Sequence, residues 1–233
     1  MDQADCCVLP TGADTAERGK GRVKGTTVFI ADYMTPDPLT VGADDALGLA
    51  RQIMDQHHVR HLPVVDQAQR LEGIVTDRDV RSAFGYERNI DKALTVGEVM
   101  SAEPSTIPVA ATLDDAVAVF CSSRVGALPV MRNQSLVGII TRHDVLKAFQ
   151  AILGVDEPGC RIEIALPSPA EDLALAFAAL KATPQPIISA VVSRMRRDGG
   201  EPALYLRVRG KDPRPVEKLL RDATLIVLRP EHD

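Results

Sequence analysis

The 233-residue chain has no tryptophan, five phenylalanines and three tyrosines. That supply is too thin for the rows of exposed rings on which single-stranded nucleic acids stack. Cysteine is nearly as scarce. Cys6, Cys7, Cys121 and Cys160 show neither paired metal-ligand spacing nor the density of a disulfide-stapled secreted domain, so free thiols in a reducing cytoplasm are expected. There is no basic excess: 32 acidic against 27 basic side chains leave a net charge of −5, without a global positive field to hold nucleic acid or an anionic membrane. Long apolar runs are missing, and the opening Met1-Asp2-Gln3-Ala4-Asp5 is acidic where a signal peptide needs a basic stretch. The reading is therefore a cytoplasmic chain without a membrane partner. Its composition, 45% hydrophobic and 25% charged, is globular rather than disordered or fibrous.

Internal repetition is the strongest feature. Tyr33-Met34-Thr35-Pro36-Asp37-Pro38-Leu39-Thr40-Val41 returns 66 positions later as Val99-Met100-Ser101-Ala102-Glu103-Pro104-Ser105-Thr106-Ile107. Leu71-Glu72-Gly73-Ile74-Val75-Thr76-Asp77-Arg78-Asp79-Val80 returns 65 positions later as Leu136-Val137-Gly138-Ile139-Ile140-Thr141-Arg142-His143-Asp144-Val145, one loop residue having been lost between. Each copy reads strand, helix, strand, strand, helix. Leu47, Ala50, Ile53 and Met54 recur at helical spacing, while Leu62-Pro63-Val64-Val65 and Gly73-Ile74-Val75 are apolar runs of strand length. So small a unit cannot cover both faces of its sheet, so the two copies should pack about a pseudo-two-fold axis with clefts where they meet.

The flanks differ. Residues 1–25 are polar and glycine-rich without periodicity and read as a mobile tail, followed by a β-branched stretch, Thr26 to Ala31, that could be a strand. Boundaries of 26–90 and 91–153 for the two repeats, a linker at 154–159 and a last domain at 160–230 follow. In that last domain Ile162, Ile164 and Leu166 alternate. Leu173, Phe177 and Leu180 have helical spacing, and Ile188, Ala190 and Val192, then Leu204, Leu206 and Val208, alternate again. Val216, Leu219 and Leu220 mark a second helix, and Thr224 to Leu228 a last strand. The βαββαβ order is ferredoxin-like, and the fold class of the whole is α+β.

Met34-Thr35-Pro36 and Met100-Ser101, Leu62-Pro63-Val64-Val65 and Leu128-Pro129-Val130, and the two Gly-Ile-x-Thr-x-x-Asp runs together resemble CBS domains, and the tandem pair over residues 33–150 resembles a Bateman module. By element order the last domain is similar to an ACT domain, and the combination resembles the acetoin-utilisation regulatory proteins of bacteria. ACT domains that hold an amino acid carry a glycine at the first strand-to-helix turn. Leu166-Pro167-Ser168-Pro169-Ala170-Glu171 has none, which favours a pairing role there.

Thr76-x-x-Asp79 and Thr141-x-x-Asp144 open the second helix of each repeat. Residue chemistry alone makes them capping boxes. The resemblance implies a second role, with hydroxyl and carboxylate on the ribose of an adenosine-type ligand, AMP, ADP, ATP or S-adenosylmethionine. Arg78, Arg142 and His143 in the same helical turns, with Arg60 and His61 before the central Leu-Pro-Val, are candidate phosphate contacts, each weighed against a solvated surface charge. Repeat two has Gly126-Ala127 where repeat one has Arg60-His61, so the clefts should be chemically unequal.

His57, His58 and His61 invite a metal reading, but no carboxylate or cysteine completes a ligand set, and no metal is expected. No nucleophile elbow, P-loop or dinucleotide fingerprint occurs, and Cys121 reads as a packing residue on a helix face, so no enzyme is expected. The resulting expectation is a homodimeric regulator that senses an adenine nucleotide and acts on an unidentified target protein. An amino-acid sensor working through the last domain is one alternative. A DNA-associated regulator using Arg194-Met195-Arg196-Arg197, Arg207 and Arg209 is another, although nucleic acid is not the expected partner.

Overall fold

The computed structural model describes residues 28–85, 94–193 and 202–228; the N-terminal tail reading and the run Arg194 to Arg197 fall outside them. A 3-10 turn (Ile30–Asp32) leads into β1 (Thr35–Pro36), α1 (Leu47–His57), β2 (His61–Val65), β3 (Leu71–Thr76) and α2 (Asp77–Phe84). The second copy runs through β4 (Ser101–Ala102), β5 (Ile107–Pro108), α3 (Leu113–Ser122), β6 (Ala127–Arg132), β7 (Ser135–Thr141) and α4 (Arg142–Leu153). The last unit comprises β8 (Gly159–Ala165), α5 (Pro169–Leu180), β9 (Ile187–Ser193), β10 (Ala203–Arg209), α6 (Arg214–Asp222) and β11 (Val227–Leu228). The repeat seen in sequence is thus a repeat of structure, α+β in each copy.

The copies exchange their opening segments. β1, from repeat one, pairs antiparallel with β7 of repeat two, Thr35 opposite Ile139 and Pro36 opposite Gly138. Reciprocally, β4 pairs with β3, Gly73 opposite Ala102 and Ile74 opposite Ser101. Upstream the exchange continues: Phe29 bridges Thr112 and Thr95 bridges Ala46. The amide of Ile30 donates to the carbonyl of Ala111 and that of Val96 to Asp45. Ile30, Tyr33 and Met34 therefore pack in the core of repeat two with Ile107, Leu113, Phe120 and Ile140. Val96, Val99 and Met100 pack in that of repeat one with Leu47, Leu62, Val75 and Val80. Within the β-branched stretch before repeat one, the described residues 28–31 make a bridge at Phe29 and enter the 3-10 turn, and their partner is the other repeat.

Two glycines make the exchange fit. A Cβ on Gly73 would lie 2.5 Å from the Met100 sulfur, and one on Gly138 would lie 2.5 Å from that of Met34. The glycine of each Gly-Ile-x-Thr motif is the floor on which the methionine of the other copy's opening segment rests. Between the repeats, Ile74, Ala127 and Ile139 form a small apolar cluster.

In the last unit the sheet order is β11-β8-β10-β9, all neighbours antiparallel, so the expected βαββαβ order is realised. Ile162, Ile164, Leu204, Leu206 and Val208 meet Ala176, Leu180, Val216 and Leu220 in one core. Helix α5 is rotated from its expected phase: Phe177 is exposed and Ala176 faces the sheet, because Leu173, Ala176 and Leu180 make the closer-packed stripe. β9 is an edge strand, mostly exposed, and the last strand shortens to Val227–Leu228 with Leu225 tucked into the core.

Candidate functional site

Each repeat ends in a β-hairpin whose outgoing strand runs straight into a helix. Register places His61 opposite Thr76 in repeat one and Ala127 opposite Thr141 in repeat two. The hairpin mouths are closed by backbone bonds from the Asp77 amide to the Arg60 carbonyl and from Arg142 to Gly126, at 3.0 and 3.2 Å. Arg60-His61 and Thr76-x-x-Asp79 are thereby neighbours, as are Gly126-Ala127 and Thr141-x-x-Asp144.

Both motifs are capping boxes. Asp79 Oδ2 accepts from the Thr76 amide and hydroxyl at 3.0 and 2.6 Å, while the Asp79 amide donates to Thr76 Oγ1 at 3.2 Å. The second copy repeats this at 2.9, 2.7 and 3.3 Å between Thr141 and Asp144. The bonds use one carboxylate oxygen. Among the described residues, Oδ1 of each aspartate has no hydrogen-bonding partner, and all four side chains are half-buried. Thr112 and Asp115 build a third box at the start of α3, outside the predicted site, and its hydrogen bonds from Thr112 hold the Asp115 carboxyl below the usual range.

The candidate phosphate contacts divide unevenly. Arg60, Arg78 and His143 are exposed and form no ion pair among the described residues. Arg142 is partly engaged: one terminal nitrogen donates to the carbonyls of Phe120 and Ser123 at 3.2 and 3.1 Å, and the guanidinium lies 5.9 Å from the Phe120 ring centroid, tying α4 to the end of α3. The position equivalent to Arg142 in repeat one is Asp77, paired with Arg81 at 2.7 Å.

His61 joins the copies. A Cβ on Gly126 would lie 2.7 Å from His61 Nε2, so the imidazole of repeat one occupies the space that glycine leaves in repeat two. Burial is the main cause of its lowered pKa; Arg60 adds to the effect, and Asp79 and Asp77 oppose it. The inequality at Arg60-His61 against Gly126-Ala127 is therefore one contact seen from both sides, a relation that spacing alone does not reveal.

His58 takes the left-handed conformation at the end of α1, with φ 54°, and His57 and His58 are exposed helix-end residues. Among the described residues no group of three His, Cys, Asp or Glu could hold a metal ion, and no helix is long and apolar enough to cross a membrane. Cys121 is exposed rather than packed, since Leu113, Ala116 and Phe120 form the buried stripe of α3 and the next residue turns away from it. Of the basic residues expected to form a patch, Arg207 donates to the carbonyls of Val155 and Glu157 at 3.2 and 2.8 Å, and Arg209 pairs with Glu157.

The family model of the CBS domain matches residues 30–86 and 96–151. A CBS domain-containing protein of Dictyostelium discoideum is 31% identical over 136 residues, 54% of this chain and 94% of that protein. The inosine-5'-monophosphate dehydrogenase of Methanocaldococcus jannaschii is 32% identical over 117 residues, 50% of this chain, and the chain spans only 22% of that enzyme's length. Among solved structures, one from Vibrio cholerae described as an acetoin utilization protein (AcuB) is 29% identical with a TM-score of 0.51, covering 57% of this chain and 98% of that one. With two matched copies, reciprocal pairing and a relative covered nearly end to end, this chain belongs to the CBS domain family and carries a tandem CBS pair.

Proposed function

We propose that the chain is a non-catalytic regulatory protein that holds an adenosine-type nucleotide at the seam of its CBS pair. The observation that carries this reading is the duplicated junction: a half-buried Thr and Asp open a helix in both repeats, each with one carboxylate oxygen uncommitted among the described residues. A carboxylate oxygen with free lone pairs accepts from the neighbouring hydroxyls of a ribose. Arg60 and Arg78 supply cations for phosphate beside Asp79, and His143 offers a ring N–H donor beside Asp144. Arg142 ties α4 to the end of α3 through one terminal nitrogen, and its remaining N–H groups join His143 as phosphate donors beside Asp144. The ligand is of the class AMP, ADP, ATP or S-adenosylmethionine, and no metal takes part.

Occupancy acts through differential affinity for alternative arrangements of the domains or of two paired copies. The βαββαβ unit is ACT-like in element and sheet order, and without a glycine in the turn Leu166 to Glu171 it serves pairing rather than amino-acid capture. A homodimer is the assembly this implies, and light scattering on the intact chain reads it directly. Relatives that are enzymes by name match over a fifth to about a quarter of their own length, and none of their activities is carried over.

Calorimetry with AMP, ADP, ATP and S-adenosylmethionine tests the assignment. Asp79→Ala and Asp144→Ala should each weaken binding at their own junction by roughly tenfold or more, the loss expected for a hydrogen bond to a charged group. Asp115→Ala removes the equivalent cap from α3 and should leave affinity as it was. A double Asp79→Ala, Asp144→Ala variant that binds as well as the parent would remove the ribose assignment.

A further inference from the structure

We propose that the groove between the end of α4 and the open face of the last sheet is a binding site for a small carboxylate with a compact apolar body. The groove encloses about 400 Å3 and is lined by Leu153, Val155, Arg161, Ser189, Val191, Tyr205, Leu206 and Arg207. That volume lies within the range of small-molecule sites, roughly 300–1,000 Å3. Its position is distinct from the strand-to-helix junctions of the CBS pair.

The chemistry rests on sheet register. Arg161 on β8 stands directly opposite Arg207 on β10, and Ser189 on β9 is opposite Arg207 on its other side. Two arginines are thus set at opposed register positions beside a groove whose lining residues include no carboxylate, and Glu163 pairs with Arg161. Their existing partners leave donors over. Arg161 gives one bond to Glu163 at 2.7 Å, with its guanidinium 4.7 Å from the Tyr205 ring centroid. Arg207 spends one terminal nitrogen on the Val155 and Glu157 carbonyls, while its Nε is buried without an acceptor among the described residues. A guanidinium presents five N–H groups in a planar fork, so each has capacity for an anion. A carboxylate between the two supplies acceptors for the donors that remain, the buried Arg207 Nε among them. Leu153, Val155, Val191 and the Tyr205 ring form an apolar wall for the remainder of the ligand, which excludes inorganic anions as the best fit.

Titration of the full-length chain with 3-phenylpropionate and 4-methylpentanoate, each against its uncharged amide, tests the site. Saturable calorimetric binding at millimolar concentration or tighter is expected for at least one acid, roughly tenfold stronger than for its amide. Arg161→Gln, at a side chain 61% exposed, should weaken the acid to the level of the amide while leaving the melting temperature unchanged. The Arg207 guanidinium resonances of the parent should shift with the acid and not with the amide. Failure of both acids to saturate, equal affinity for acid and amide, or an Arg161→Gln variant that binds like the parent would each overturn the proposal.

Discussion

Gly73 and Gly138 show how much one missing side chain can settle. An added methyl group at Gly73 meets the Met100 sulfur and, at 3.0 Å, the Ser101 carbonyl; at Gly138 it meets Met34 and, at 3.1 Å, the Thr35 carbonyl. Gly73→Ala and Gly138→Ala should therefore each cost about 1–3 kcal/mol, read as a lower denaturant midpoint. His61 yields a pH prediction. Its folded pKa lies below the ordinary 6.5, mainly because it is buried, so over the window from 6.5 down to the lowered value the unfolded chain binds a proton that the folded chain does not. Stability should fall as pH drops through that window and level off below it. In His61→Gln that part of the decline should vanish when chemical denaturation is compared at about pH 8 and about pH 5.5. The Gly-Ile-x-Thr motif was legible as a repeat, but why its first residue is glycine was not, because the methionine that needs the space comes from the other copy.

Helix α4 is tied down at both ends. Its N-terminus carries the Thr141–Asp144 box, Arg142 ties it to α3, and its C-terminus meets the last sheet. There the Ser189 hydroxyl donates to the Leu153 carbonyl at 2.8 Å, and Arg207 holds the Val155 and Glu157 carbonyls of the turn that follows. These bonds fasten the C-terminal end of α4 and the turn after it to β9 and β10. Ser189→Ala should cost about 0.5–1.5 kcal/mol of local stability, seen as faster amide exchange near Leu153 and Val155 with α1 unaffected. The helices were readable from apolar spacing and their Thr-x-x-Asp starts. The phase of α5 was not: Phe177 is more hydrophobic than Ala176, yet the small residue allows the closer approach to the sheet.

At the scale of the molecule, the exchange of opening segments makes stability non-local. Ile30 is fully buried in the core of repeat two although it precedes repeat one. Ile30→Ala should cost about 2–5 kcal/mol and, in hydrogen exchange, should release the amides of α3 before those of α1. Val96→Ala should show the reverse order, because Val96 packs with α1 and β2. Apolar periodicity, turn residues and the two copied motifs determined the elements, the duplication and the βαββαβ order by themselves, because each is a property of neighbours along the chain. Tertiary structure alone decided which copy's core each opening segment completes, where His61 rests and how Arg161 comes to face Arg207. Those relations depend on strand pairing and packing between residues far apart in sequence, and local pattern carries no record of such partners.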